Sequence, residues 1–504
     1  MTMPNAIPYL FRLFGRKSIA ILIVLSIVTY TLYNDPDDPS SHHIISSSST
    51  HNNIPSPHTD PIVHLPTHPL QPESCDPKTY PLDSLQRRLL TPQAGPDPIW
   101  GPENHKQFSA LCNCVLANTC APNQDQVVIL NTHYFQPWYS NEVTSNPGET
   151  IWATSIIESL RVIKYTFLYV DSREELRDFY RLLSTSVVGI IMHEDRLYKC
   201  WADTKHCVKS PANPLGPPIW KMLTFHFWAQ PAHPLGRLWT LSPEDYAAHA
   251  GADSTKEGNT YIGYSIEPSC DEQPIIPASE RTPKAVYAMT KCVSYLAPQP
   301  LRAWPPSFYA HAARSLGVHF TIGSINGTTP WAVERCGGDA VRELVFPQLS
   351  EFGGEDAMTN LGPLSRPVFM RKVAESQVLL GVGRPWISPT PYQALCLGVP
   401  FINPILEWDH SKPEDRKSWD TQHNGLRDLN PPYVYNVYKD DEAGFLSALS
   451  QAMERPIGRY IPPGRSLVEV AGRLQTALQR DWRQEAEDLL GERIRTKQGE
   501  RFTL

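Results

Sequence analysis

The stretch Val378–Pro404, VLLGVGRPWISPTPYQALCLGVPFINP, decides the fold because it predicts a complete β-α-β unit. Its first five residues are an apolar run followed by glycine, which is typical of a buried parallel strand. A short helix begins at Thr390 or Pro391, ends at Gly398 and leads into a second strand, Val399–Ile402. A glycine turn before a helix N-terminus presents N–H groups that can bind a phosphate. The alternative is an ordinary crossover without a ligand.

The same alternation of strands and helices continues on both sides of this unit. An earlier series has strands at Val127–Leu130, Tyr165–Val170 and Val187–Met192, and helices at Gly148–Lys164 and Glu174–Leu183. A second series begins at Asn259, with strands at Tyr261–Ile266 and Val318–Ile322, and helices at Phe308–Leu316 and Val368–Ser376. The pattern predicts an α/β protein with two Rossmann-like halves, whose ligands bind outside the carboxyl ends of the strands.

The N-terminus carries a membrane signal. The apolar run Ile19–Leu32 follows Arg12, Arg16 and Lys17 and precedes three aspartates. Because positive flanks stay in the cytoplasm, we expect an uncleaved single-pass anchor with the rest of the chain across the membrane. The alternative is a cleaved signal peptide, but no small-x-small cleavage site follows cleanly.

Composition predicts how the chain is divided. Asn34–Gln71 is rich in Pro, Ser and His and cannot bury enough apolar surface to fold. The expected segments are a cytoplasmic tail (1–17), a transmembrane anchor (18–33), a disordered stem (34–74), a first Rossmann-like domain with a cysteine-rich lead-in (75–257), a second Rossmann-like domain (258–465) and a helical tail (466–504). This plan is typical of a Golgi enzyme, although a cell-surface receptor shares it. The net charge of −7 argues against a nucleic-acid partner.

Ten cysteines, all beyond the anchor, predict disulfides formed in an oxidising compartment. Cys200 and Cys207 can close a small loop, whereas Cys396, inside the short helix, is expected to be a buried free thiol. The three cysteines between residues 112 and 120 could instead bind zinc, but no partner pair stands at ligand spacing.

The chain after the stem resembles the α-1,6-mannosylglycoprotein 6-β-N-acetylglucosaminyltransferase family, glycosyltransferase family 18. The similarity is strongest in Val378–Pro404 and is supported by Ser145–Glu149, Asn259–Tyr264 and Thr421–His423. It implies a GT-B fold and a type II Golgi membrane protein. It also implies transfer of N-acetylglucosamine from UDP-N-acetylglucosamine (UDP-GlcNAc) to a mannose 6-hydroxyl of a protein N-glycan.

The resemblance also implies a site. An inverting transfer needs one base and a group that holds the leaving diphosphate. Glu149 matches the family's base, although a glutamate in a first helical turn is also a favourable cap. The residues expected around the donor are Gly383, Thr390, Pro391, Gln393, Lys412, Gln422 and His423. Gln393 replaces an expected glutamate at the ribose, where an amide can accept one hydrogen bond and donate another.

The sequence also predicts whether a metal is used and leaves two other functions open. The one Asp-x-Asp, Asp35-Pro36-Asp37, lies in the stem, so we expect no metal and no cofactor beyond the donor. An inactive glycan- or nucleotide-binding relative is one alternative. A glycoside hydrolase is another, and it needs two carboxylates facing one bond. Asn326 begins a glycosylation sequon.

Overall fold

A computed structural model describes residues 100–135, 148–248, 258–297, 302–325, 336 and 348–504. The predicted tail, anchor and stem lie outside these ranges, as do Asn326 and residues 145–147 of the family resemblance. In the part of the chain that is described, no helix is both long and apolar enough to cross a membrane.

The first sheet has six parallel strands. They are β1 (Val127–Asn131), β2 (Thr166–Tyr169), β3 (Val187–His193), β4 (Met222–Phe225), β5 (Thr240–Ser242) and β6 (Thr260–Tyr261), in the order β2-β1-β3-β4-β5-β6. Every residue of β1, β2, β4 and β5 is buried, as expected for a parallel sheet covered on both faces. The three strands predicted for the first series are confirmed, whereas β4 and β5 lie in a stretch where the sequence pattern predicted no strand.

The helices of this region begin where the sequence signals suggest. They are α1 (Gly101–Ala117), α2 (Gly148–Val162), α3 (Arg173–Leu183), α4 (Glu194–Ala202) and α5 (Glu267–Cys270). The Ser172 hydroxyl caps α3 by accepting a hydrogen bond from the Glu175 N–H. Predicted helices 148–164 and 174–183 therefore correspond to α2 and α3.

The second sheet has the strand order of a complete Rossmann domain. Its strands are β7 (Ala285–Met289), β8 (His319–Ile322), β9 (Met358–Asn360), β10 (Val378–Gly381), β11 (Phe401–Glu407), β12 (Asp420–Thr421) and β13 (Val434–Tyr438). The parallel order is β9-β8-β7-β10-β11-β13, and β12 pairs antiparallel with the end of β11. Its helices are α6 (Pro306–Leu316), α7 (Arg366–Glu375), α8 (Thr390–Cys396) and α9 (Glu442–Glu454). The predicted β-α-β unit, β10-α8-β11, is confirmed, and the chain has the expected GT-B architecture.

One predicted strand was wrong. The run expected as a strand at Tyr261–Ile266 forms only the two-residue β6, which pairs with β5 in the first sheet. Gly263, at φ +78°, turns the backbone out of the extended conformation directly afterwards. The second sheet begins instead at β7, so the expected division at residue 258 falls before the last strand of the first sheet.

Four disulfides join described cysteines. They are Cys114–Cys120, Cys200–Cys207, Cys270–Cys396 and Cys292–Cys336. Cys112 is disulfide-bonded as well, and none of the described cysteines is free. The predicted loop closed by Cys200 and Cys207 is confirmed. The prediction of a free thiol at Cys396 was wrong, because α5 packs beside α8 and brings Cys270 to it from 126 residues away.

The C-terminal tail is helical, as predicted, but it forms two helices and returns to the first domain. They are α10 (Leu467–Leu478), which packs against α2, and α11 (Trp482–Thr496). Ser466 and Glu469 form a capping box that starts α10, and Asp481 caps α11. Arg473 Nε donates to the Ile262 carbonyl at 2.7 Å, which ties the tail to the edge of the first sheet.

Candidate functional site

The second sheet has one crevice that its topology marks for a ligand. From β7 the chain winds toward β9, and from β10 it winds toward β13, so a crevice opens between the carboxyl ends of β7 and β10. The loop after β7 carries Lys291, which is exposed, and the loop after β10 carries Gly383 and the half-buried Arg384. Two cationic side chains therefore flank the position where such sheets bind their ligands.

Gln422 holds the glycine loop in place. Because β12 extends the sheet beyond the end of β10, Gln422 lies directly beside that loop. Its Oε1 accepts a hydrogen bond from the Gly383 N–H at 2.8 Å, and its Nε2 donates to the Pro385 carbonyl at 3.1 Å. Gly383 has φ +104°, a conformation that favours glycine. Gln422 thus lies beside the glycine loop after β10, and its amide shapes that loop.

Helix α8 has fewer N–H groups available for a phosphate at its start than we expected from a glycine turn that leads into a helix. The Thr390 N–H lies 3.3 Å from the Ser388 hydroxyl, Pro391 has no N–H, and the Gln393 N–H is bonded to the Pro389 carbonyl. All seven residues of the helix are buried, and Gln393 is only 2% exposed. Positive charge at this crevice therefore depends on side chains more than on the helix terminus.

His423 and Lys412, two further residues expected at the donor, have different surroundings. His423 is fully buried, and its ring meets the Tyr392 ring edge-on at 4.6 Å between centroids. Its backbone N–H donates to Asn403 Oδ1 at 3.1 Å. Lys412 lies in an exposed turn that its own N–H closes by donating to the Asp409 carbonyl at 2.9 Å.

Glu149 lies where the first domain meets the β10–α8 loop. It occupies the first turn of α2 and is half-buried. A Cβ on the preceding residue, Gly148, would lie 2.8 Å from Phe227 Cζ and 3.1 Å from Pro389 Cδ. Glycine therefore allows the start of α2 to fit between an aromatic ring of the first domain and the loop that leads into α8.

The electrostatics of Glu149 suit a proton acceptor. Burial raises the pKa of the Glu149 carboxyl, while its own backbone N–H and the charge of Lys291 partly oppose the rise. Because Lys291 follows β7, this interaction joins a carboxylate of one domain to an ammonium group of the other. The Tyr246 hydroxyl, which donates to the Phe227 carbonyl, is also near enough for the Glu149 charge to raise its pKa, after the larger effect of burial.

Three histidines line the carboxyl edge of the first sheet. The rings of His133 and His193 lie 5.6 Å apart, and His226 Nδ1 lies 3.0 Å from Glu194 Oε2. Burial lowers the pKa of all three rings, that of His226 to about 4, so His226 is neutral at pH 7. Within the described ranges, no group of three or more His, Cys, Asp or Glu side chains is arranged to hold a metal ion.

Sequence reasoning missed Lys291 and a buried pair of charges, Glu244 and Arg465. Lys291 follows β7, a strand that the sequence pattern did not reveal, so its position at a strand end was hidden. Glu244 and Arg465 form an ion pair across 221 residues of chain. The sequence signal at this place is that Pro243 and Glu244 follow a short apolar run, a pattern that can mark the end of a strand.

The comparisons with known proteins show similarity of fold alone. No protein-family model and no curated protein matches the chain. An O-GlcNAc transferase variant from Thermobaculum terrenum shares 12% identity over 82% of this chain and 75% of its own, with a TM-score of 0.36. A putative UDP-N-acetylglucosamine 2-epimerase from Listeria monocytogenes shares 11% identity over 71% and 97%, with a TM-score of 0.37. Anabaena HepE in complex with UDP shares 10% over 73% and 100%, with a TM-score of 0.33.

Proposed function

We propose that the protein is an inverting glycosyltransferase that moves N-acetylglucosamine from UDP-GlcNAc to the 6-hydroxyl of a mannose on protein N-glycans. One observation carries the proposal: Lys291 of the second domain lies near enough to Glu149 of the first for its charge to lower the pKa of that carboxyl. That arrangement suits transfer between an uncharged acceptor and a nucleotide donor. The identities of the sugar and the linkage come from the sequence resemblance.

Glu149 would act as the general base. The mannose hydroxyl oxygen attacks the anomeric carbon from the face opposite UDP, and the bond from that carbon to the β-phosphate oxygen breaks. Glu149 takes the hydroxyl proton, and the α-linked donor gives a β-linkage. Burial assists this role, because a carboxylate with a raised pKa is a stronger base toward a hydroxyl.

Lys291 and Arg384 would stabilise the leaving diphosphate. They follow β7 and β10, the strands whose carboxyl ends flank the ligand crevice. Charge on the departing phosphate oxygen grows as the glycosidic bond breaks, so fixed cations there lower the barrier. Gly383 permits close approach of the backbone, and Gln393 on α8 is proposed to meet the ribose hydroxyls.

The setting proposed for this reaction is the Golgi membrane, with one N-terminal anchor and a luminal catalytic domain. The charge asymmetry around residues 19–32 supports the orientation, and the disulfides fit an oxidising compartment. We propose that no metal is required.

The deciding experiment incubates the purified full chain with a panel of nucleotide sugars and measures UDP release, with and without a mannose-terminated N-glycan. The proposal expects release from UDP-GlcNAc that depends on the acceptor, and a β-1,6 product by NMR. UDP binding without release from any donor would favour an inactive nucleotide-binding relative. Cleavage of a glycan in the absence of nucleotide would favour a hydrolase.

A further inference from the structure

A pair of opposite charges is buried where the two domains and the tail meet. Glu244, at the carboxyl edge of the first sheet, forms an ion pair with Arg465, in the segment before α10. Their side chains are only 1% and 5% exposed. Tyr392, on α8 of the second domain, completes the cluster. Its hydroxyl accepts from Arg465 Nη2 at 2.8 Å and donates to Glu244 Oε2 at 3.3 Å.

Arg465 is held in one orientation by several partners. Its Nη1 donates to the Pro243 carbonyl at 3.0 Å, and its guanidinium lies 4.3 Å from the Tyr392 ring centroid and 4.8 Å from that of Tyr264. Arginine is suited to such a place because its planar fork forms several hydrogen bonds and stacks on aromatic rings at once. The cluster therefore fixes three segments of chain in one geometry.

Two paths lead from this cluster to the start of α2, and they meet at Gly148. On the first-domain side, Glu244 is two residues from Tyr246, whose hydroxyl donates to the Phe227 carbonyl, and the Phe227 ring packs against Gly148. On the second-domain side, Tyr392 follows Pro389 in the chain by three residues, and Pro389 also packs against Gly148. Glu149, the next residue, is thus supported from both directions.

We infer that Glu244, Arg465 and Tyr392 form a positioning cluster that sets the distance between Glu149 and the β10–α8 loop. This inference rests on the proposed function, because it assigns the cluster a part in that reaction. A buried ion pair contributes little net stability, since desolvation offsets the attraction of the charges. Its directional hydrogen bonds, however, hold the first domain, the tail and α8 in register. The cluster contains neither Glu149 nor the proposed donor residues. Loss of the cluster should therefore change the placement of Glu149 relative to the donor residues without removing any of these groups.

The test replaces both charges together, because Arg465→Met alone would leave Glu244 buried without its partner and could unfold the protein. In the full chain, the double variant Glu244→Gln/Arg465→Met should bind UDP within about two-fold of the parent. Its kcat with UDP-GlcNAc should fall by roughly 10- to 100-fold, because displacement of about 1 Å costs on that scale. Hydrogen exchange should become faster at the start of both α2 and α8.

A matched control is the exposed ion pair Arg459–Asp271, whose Nη1 and Oδ1 atoms lie 2.6 Å apart. The double variant Arg459→Met/Asp271→Asn should leave kcat and exchange near parent values. Parent-like kcat in the Glu244/Arg465 double variant would overturn the inference.

If that double variant does not fold, Arg465→Lys replaces it, since lysine keeps the charge but not the fork geometry. Parent-like kcat in a folded Arg465→Lys protein would then contradict the inference, and a reduced kcat with unchanged UDP affinity would support it. If the parent itself turns over no donor, the proposed function fails. Hydrogen exchange still tests the cluster in that case: faster exchange in α2 and α8 together supports the coupling, and unchanged exchange refutes it.

Discussion

The carboxyl edges of the two sheets differ in the charge of their side chains. In the first sheet the strand order reverses between β1 and β3, and the crevice there is flanked by His133 and His193, whose pKa values burial lowers. In the second sheet the corresponding crevice, between β7 and β10, is flanked by Lys291 and Arg384. Neutral histidine rings can contact an uncharged sugar, whereas cationic side chains suit a diphosphate.

The difference shows how two similar sheets could divide the proposed reaction between them. The first domain contributes Glu149, the proposed base, whose pKa burial raises. The second domain contributes the cationic side chains and the glycine loop that we propose hold the diphosphate. Variants that change one domain therefore test whether the contribution of the other domain is unaffected.

The largest effect is expected from Glu149→Gln. The amide keeps the size of the side chain but cannot accept the proton, so transfer should fall about 10²–10⁴-fold. UDP affinity, which we propose depends on the second domain, should stay unchanged by calorimetry. Near-parent turnover would mean that another residue is the base. Loss of activity only through unfolding would mean that Glu149 serves as a helix cap.

The next largest effect is expected on UDP binding when Lys291 of the second domain is replaced, with Lys412 of the same domain as the comparison. Lys291→Met should weaken UDP binding by roughly 10- to 100-fold, the worth of a lost hydrogen bond to a charged group. Lys412→Met, in an exposed turn, is the matched variant and should bind UDP almost like the parent. The reverse pattern would restore Lys412 as the diphosphate cation.

Lys291→Met should also change the pH dependence of kcat/KM. A general base must be ionised, so the rate is lost as the pH falls through the pKa of Glu149, which burial raises above the ordinary carboxyl value of 4.5. Lys291 lowers that pKa, and its removal should move the acidic limb to higher pH. An unmoved limb would argue against contact between the two edges.

Gln393 tests the ribose side of the second domain. If its amide meets the ribose, Gln393→Ala should weaken UDP binding by about 1–2 kcal/mol for a lost hydrogen bond. Gln393→Glu should keep or tighten binding. Because the side chain is buried, thermal unfolding of both variants is the necessary control. Parent-like affinity in both would remove Gln393 from the site.

Acid should destabilise the first domain through a buried histidine. Burial lowers the pKa of His233 from 6.5 to about 3, so the folded protein keeps this ring neutral while the unfolded chain binds a proton below pH 6.5. The stability contributed at neutral pH is therefore lost as the pH falls from 6.5 toward 3. At pH 5 this loss is about 2 kcal/mol. His233→Gln should reduce this loss in chemical denaturation.

The smallest effect is expected from chelation. The second domain is proposed to supply its positive charge from side chains, so EDTA should leave UDP release unchanged. Loss of activity on chelation, followed by recovery with Mn²⁺, would show that the cationic edge is incomplete without a metal.

Sequence patterns predicted the fold where local signals agree. The glycines and prolines of Val378–Pro404 mark both ends of β10 and α8, and hydrophobic runs mark β1 to β3. Strands of two to four residues, such as β4 to β6, are too short to show a period, and their pairing depends on partners elsewhere in the chain.

The site was less accessible to sequence reasoning. Glu149 was proposed from the resemblance and from its place after Pro147 and Gly148 in the sequence. Lys291 depends on recognising β7, and the pairs Cys270–Cys396 and Glu244–Arg465 depend on how distant segments pack. No local pattern encodes such partners, because burial and tertiary contact choose them.

The packing of the C-terminal tail against the first domain affects how the chain folds during its synthesis. Domains usually fold as units, N-terminal first, while the ribosome is still at work. Here Glu244 is buried against Arg465, and α2 is covered by α10, so the first domain lacks essential partners until residues 465–478 emerge. Its completion must therefore wait until the second domain and residues 465–478 have been made.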